Sequence, residues 1–150
     1  MKKHLIVLFF VIVFQSNANS AQKYSGKENS LGVVVGEFTG LIGKMWENKV
    51  NAYSAAIAFR GLGLHLDYLW HDKSMLSPNN RKLLTIYYGL GGELKETKRS
   101  NSLGFRGVGG IVYQIEKNPF EIFGELAPTV RIIGGIDVGV TTLIGARFYL

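Results

Sequence analysis

The chain predicts an all-β fold: an eight-stranded antiparallel up-and-down transmembrane β-barrel that follows a cleaved signal peptide. Three observations carry this expectation. The N-terminus is short, basic and then apolar. The rest divides into eight apolar segments separated by turn-forming residues. The last of these segments alternates between lipophilic and small or polar residues with a period of two.

Met1 to Ser20 has the form of a secretory signal. Lys2, Lys3 and His4 make a basic start, Leu5 to Phe14 is an unbroken apolar run, and Ala18-Asn19-Ser20 precedes Ala21. Small residues at 18 and 20 suit signal peptidase, which places cleavage between Ser20 and Ala21, with cleavage after Ala18 as the alternative. The apolar run is half of the roughly 20 residues that a spanning helix needs. No later segment is long and apolar enough to cross as a helix, so a membrane-embedded mature chain must be a closed barrel. The organisation expected is a signal peptide over 1–20, a polar lead-in over 21–30 and the barrel over 31–150.

Composition agrees. The 19 Gly and 12% aromatic residues suit strands better than helices. The absence of Cys excludes disulfides, thiolate zinc sites and thiol catalysis. Net charge is +6, but the basic residues are scattered. The densest groups, Arg81-Lys82 and Lys95 to Arg99, lack the interleaved aromatics of a nucleic-acid groove, so no nucleic-acid partner is expected.

Strands are expected at Leu31–Glu37, Leu41–Trp46, Asn51–Arg60, Leu62–His71, Leu83–Glu93, Leu103–Ile115, Phe120–Arg131 and Ile136–Leu150. Turn chemistry separates them at Thr39-Gly40, Asn48-Lys49, Gly61, Ser77 to Asn80, Lys98 to Asn101, Lys117 to Pro119 and Gly134-Gly135. Along the last segment, Ile136, Val138, Val140, Thr142, Ile144, Ala146, Phe148 and Leu150 share one face. Asp137, Gly139, Thr141, Leu143, Gly145, Arg147 and Tyr149 share the other. The fourth, fifth and sixth segments follow the same rule. The first two do not reveal their faces.

A period of two fits a soluble barrel and a membrane barrel alike. The character of the polar face separates them. It is mostly Gly, Ala, Ser and Thr, with sparse charges of both signs: Arg60, His65, Asp67, Glu93, Arg106, Glu125, Asp137 and Arg147. A water-facing wall would carry many more Lys and Glu. A narrow eight-stranded lumen needs small residues and holds a few charges that pair across it. These eight residues are therefore expected as a polar network in the lumen. Trp46, Tyr53, Trp70, Tyr113, Phe120 and Phe148 fall near one rim and are expected as an interfacial aromatic girdle.

The segments Val35-Gly36-Glu37-Phe38-Thr39-Gly40-Leu41 with Lys44 and Trp46, Leu64 to His71, Tyr87 to Gly92, Leu103 to Arg106, Phe123 to Pro128 and the final strand together resemble small outer-membrane barrels of the outer membrane protein A type. More closely they resemble an uncharacterised family of such barrels known from spirochaetes and other bacteria. The resemblance covers Leu31 to Leu150. It implies a monomer in the bacterial outer membrane, with lipid and the barrel assembly machinery as its partners, and it implies no activity. The aromatic and apolar tail Arg147-Phe148-Tyr149-Leu150 fits recognition by that machinery, although such tails usually end in Phe. Phe38 departs from the pattern, which has Pro in this turn. The longest connection, Asp72 to Lys82, falls on the periplasmic side, where such barrels usually have short turns.

Candidate chemistry is thin. His65, Asp67 and His71 share a face, but the two His lie about 20 Å apart along a strand and cannot share one ion. Ser54, His65 and Asp67 could form an acyl-hydrolase set on neighbouring strands, as in lipid A-modifying barrels. The His-x-Ser arrangement of the deacylase type is absent, and a structural lumen contact is the expected role of these residues. Glu37 and Lys44 flank a hairpin and are expected as an ion pair, and Arg106, Glu125 and Arg147 as a ladder on successive strands. The glycine-rich stretches lack the Lys-Ser/Thr and helix of a phosphate loop. The expectation is a structural or interaction barrel with no catalytic, metal or cofactor site. A soluble lipocalin-like barrel holding an apolar ligand and an outer-membrane acyl hydrolase are the alternatives.

Overall fold

The computed structural model describes residues 29–72, 84–97, 100–115, 118–133 and 135–150. The signal segment, its Ser20–Ala21 junction and the long connection after Asp72 lie outside these residues. Eight strands form: β1 (Ser30–Gly36), β2 (Gly40–Trp46), β3 (Asn51–Ala58), β4 (Leu62–Asp72), β5 (Leu84–Thr97), β6 (Ser100–Gln114), β7 (Phe120–Arg131) and β8 (Asp137–Tyr149). They close into one antiparallel barrel in sequence order, with β8 paired to β1. Closure leaves no continuous sheet edge, because every strand has a partner on both sides.

Each pair keeps one register throughout, so the stagger of the barrel can be read directly. Moving from strand to strand, Phe148 leads to Leu31, Gly43, Ala55, Leu66, Gly92, Phe105, Val130 and back to β8 at Val138. The path returns ten residues from its start, 148 against 138, which is the shear of the barrel. With a strand tilt of about 40°, each residue adds about 2.5 Å of height and each strand crossing about 3 Å. All strands then begin and end at a similar level on the lower side, where β1 starts. On the upper side the β1–β2 turn sits about 10 Å below the ends of β5 to β8.

Facing follows the period of two everywhere. On β8, Val138, Val140, Thr142, Ile144 and Ala146 are exposed, while Thr141, Leu143, Gly145, Arg147 and Tyr149 are buried. The faces that the sequence left open are now assigned. Ser30 and Val34 of β1 point inward, as do Gly40, Ile42 and Lys44 of β2, while Val33, Val35 and Met45 point outward. The outer surface carries Leu66, Leu90, Phe105, Leu126 and Ile144, each more than half exposed.

The interior is filled. Val34, Phe38, Ile42, Leu69, Tyr87, Val112, Phe123 and Leu143 pack together there with buried charged residues. The glycines of the inner face make room for this packing. A Cβ on Gly145 would strike the Phe123 ring and lie 2.7 Å from the Val33 carbonyl oxygen, and one on Gly110 would strike the Tyr87 ring. The bulky ring on one strand needs the bare backbone of the next.

Three strand boundaries differ from expectation by two residues or more. β3 stops at Ala58 instead of Arg60, because the amide of Phe59 already donates to the Thr39 carbonyl and the chain turns at Gly61, whose φ of +73° suits glycine. β5 runs on to Thr97 and β6 starts at Ser100, so Lys95 and Glu96 are strand residues rather than loop. Lys98 to Asn101 has the composition of a loop, but cross-strand pairing reaches Asn101 and Ser100, opposite Glu96 and Thr97.

Candidate functional site: the charged lumen

The lumen holds two ion clusters and a rim cluster. The lower one is built from β2, β7 and β8. Lys44 Nζ lies 3.0 Å from Glu121 Oε1, and Arg147 Nε lies 2.7 Å from the same oxygen. The Tyr149 hydroxyl also donates to Glu121. Two basic side chains thus converge on one carboxylate. The Arg147 guanidinium lies 3.9 Å from the Phe123 ring centroid and Lys44 Nζ 4.7 Å from that of Trp46. Both arrangements ease the burial of these cations.

The middle cluster has the opposite make-up. Arg106, 1% exposed, lies between two carboxylates: its Nε is 3.1 Å from Asp67 Oδ1, and its Nη2 donates to Glu125. The Tyr87 hydroxyl donates to Glu125 Oε2 at 3.0 Å, and His65 Nδ1 donates to Asp67 Oδ2 at 2.9 Å. This cluster sets one guanidinium between two carboxylates, the reverse of the lower cluster.

The two clusters are joined by a file of tilted rings. Trp46 lies 4.4 Å from His71, and His71 lies 5.4 Å from Tyr87. His71 Nδ1 donates to the Val50 carbonyl at 3.0 Å. At the upper end the Phe38 ring packs edge-on to His65 at 4.8 Å, so an apolar cap covers the ionic file. Side chains therefore fill the lumen from the lower mouth up to Phe38. In register with His65, Glu93 is buried and faces Arg131 at 3.4 Å and Lys95 at 4.0 Å. Arg131 also holds Asp137 at 2.9 Å at the rim.

Most of the expected lumen residues are in place, and two are not. Arg60 is exposed in the turn after β3, because that strand ends two residues earlier than expected. Asp137 begins β8 at the upper rim and is exposed. His65, Asp67, Glu93, Arg106, Glu125 and Arg147 are buried inside. The ladder differs from expectation, since Arg147 pairs with Glu121 rather than Glu125. Lys44 likewise pairs with Glu121, and Glu37 is exposed in the β1–β2 turn.

Glu121, Lys44, His71 and Tyr87 are central to the network. The sequence carried a signal for Glu121: it shares its parity with Glu125, so both point to the same face of β7. Of the acyl-hydrolase set, Ser54 is buried on β3 in register with Asp67, and His65 bonds Asp67 while its Nε2 has no hydrogen-bond partner among the described residues. Among the described residues no group of three or more His, Asp or Glu could hold a metal ion.

The aromatic girdle also needs one correction. Trp46 shares its face with Gly40, Ile42 and Lys44 and packs at a tilt against His71 inside the lower mouth, so it is not on the outer surface. Tyr53 and Trp70 do lie outside, linked through Tyr68 at 4.9 and 4.8 Å, and Trp70 stacks on Tyr88 at 5.9 Å. Phe120 and Phe148 meet edge-on at 5.0 Å, and Tyr113 is exposed at the same level. Tyr68 and Tyr88 join the belt. The Tyr68 hydroxyl reaches the lower turn, donating to Glu47 Oε2 at 2.5 Å and accepting from Asn51 Nδ2 at 2.7 Å.

The chain matches no family model, no curated protein and no solved structure.

Proposed function

We propose that the mature chain is an integral outer-membrane β-barrel, a monomer with a structural or interaction role rather than a pore or an enzyme. Its signal segment would direct export, and the barrel assembly machinery would insert it. One observation carries this reading: the charges are inside and the large apolar side chains are outside. Lys44, Arg106, Glu121 and Arg147 are buried, while Leu90, Phe105, Leu126 and Ile144 are exposed. A soluble barrel has the reverse arrangement, and a lipid-facing wall requires this one. Closure supports it further, because strands that cross hydrocarbon must satisfy their backbone groups within the barrel. The belt of Tyr53, Tyr68, Trp70, Tyr88, Tyr113, Phe120 and Phe148 marks one interface.

The lipocalin-like alternative needs an apolar cavity inside, and the ionic file occupies that volume. The acyl-hydrolase alternative rests on Ser54, His65 and Asp67, and Phe38 covers His65 from the upper mouth. The test is extraction. Membranes of cells expressing the full chain, washed with urea or alkaline carbonate, retain the protein if it is integral. Its release into the wash as a folded soluble protein contradicts the proposal. An acyl-hydrolase activity lost in both Ser54→Ala and His65→Ala would instead favour the enzyme.

A further inference from the structure

The uneven upper rim places an opening at the side of the barrel. β1 pairs with β8 only as far as Gly36 opposite Leu143, with one more bond from the Glu37 amide to the Thr142 carbonyl. Beyond that level β8 continues to Asp137 with β7 alone beside it. The wall at β1–β2 is therefore lower than at β5 to β8. A membrane barrel has an apolar belt about 25 Å tall. Measured up from Phe148, that height reaches Val138, and the β1–β2 turn stops about 8 Å short of it.

Inside this low stretch lies a cavity of about 400 Å³, within the size range of small-ligand sites. Its walls include Phe38, Ala58 and Leu62, and its rim includes Arg60, Lys95 and Glu96. Phe38 is buried and seals the ionic network beneath, so a guest meets an apolar floor. Beside the gap, Val138 and Val140 are exposed on β8, and Ile57 and Phe59 on the other side. An apolar approach thus leads to an apolar floor, and the upper margin carries Arg60 and Lys95 beside Glu37 and Glu96, a balanced set of charges that a zwitterionic phospholipid headgroup would meet.

We propose that this cavity binds one acyl chain of an outer-leaflet lipid, which enters sideways over the β1–β2 turn, with Arg60 and Lys95 facing its headgroup. The proposal rests on the membrane reading above. The chain has no Cys, so single cysteines can be labelled cleanly. A nitroxide on Ala58→Cys, in the full chain refolded into phosphatidylcholine vesicles, is compared with one on Ile144→Cys in the belt and one on Lys49→Cys in the lower turn. The site at 58 is expected to be open to oxygen and to have lost the nickel-chelate access seen at 49, matching 144. Access to the nickel chelate, or access to neither reagent, overturns the acyl site. If 144 itself admits the chelate, the membrane reading fails; if 144 is lipid-like and 58 is not, only the acyl site fails.

A second measurement needs no variant. Phosphatidylcholine with a photoreactive acyl chain, irradiated with the unaltered protein, is expected to label the inward residues Phe38 or Ala58. Labelling confined to outward residues contradicts the proposal.

Discussion

Glu121 is the acceptor that two buried cations share, and it is more than 98% enclosed. Glu121→Gln leaves Lys44 and Arg147 facing each other without compensation. Removing one member of a buried ion cluster costs about 3–5 kcal/mol. The variant should unfold in vesicles at a correspondingly lower urea concentration, and an unchanged midpoint would show that the cluster is not held together by this carboxylate. Arg106→Gln should cost a similar amount, about 3–5 kcal/mol, because Asp67 and Glu125 lose the cation between them. At this scale the sequence was partly legible. The charges on long alternating strands could be placed inside by parity, as with Asp67, Arg106 and Arg147. Partner choice could not, since Lys44 meets Glu121 from a strand far away in the chain.

The strands differ in how much of themselves they reveal. β8 alternates regularly between exposed and buried from Val140 to Arg147, and its composition follows for most of that length, so its two faces are legible. Ile144→Arg would put a charge into the apolar belt and should destabilise by about 2–4 kcal/mol if it sits near mid-bilayer. Denaturant unfolding in vesicles checks this, and a variant as stable as the parent would reverse the facing of β8. Gly145→Ala tests the inner face of the same strand. Its methyl group collides with the Phe123 ring and the Val33 carbonyl, and overpacking of this kind costs about 1–3 kcal/mol. β1 and β2 were not legible, because each has only seven residues and Val33-Val34-Val35 places valine on both faces. Trp46 was misplaced for the same reason: β2 buries Ile42 and Lys44 together, so polarity along it does not mark a side.

For the whole molecule, the strand count and closed antiparallel order were legible because turn chemistry punctuates the chain. The stagger was not, since it is the sum of eight registers and no single segment encodes it. That stagger, with the short first hairpin, produces the low wall. The filled lumen leads to a further expectation. In planar bilayers the protein should show no steady conductance, because the file from Lys44 through Tyr87 and Arg106 to Phe38 blocks the axis. A persistent open channel would mean that these side chains do not stay in place.

The most direct measurement uses single tryptophans at Val140, Thr142, Ile144 and Ala146, one at a time, with Trp46 and Trp70 replaced by Phe. The protein is refolded into vesicles of phosphatidylcholine brominated at mid-chain. The account predicts quenching at every one of these positions, strongest at 142 and 144. Emission that bromolipid leaves untouched and aqueous iodide quenches would contradict it.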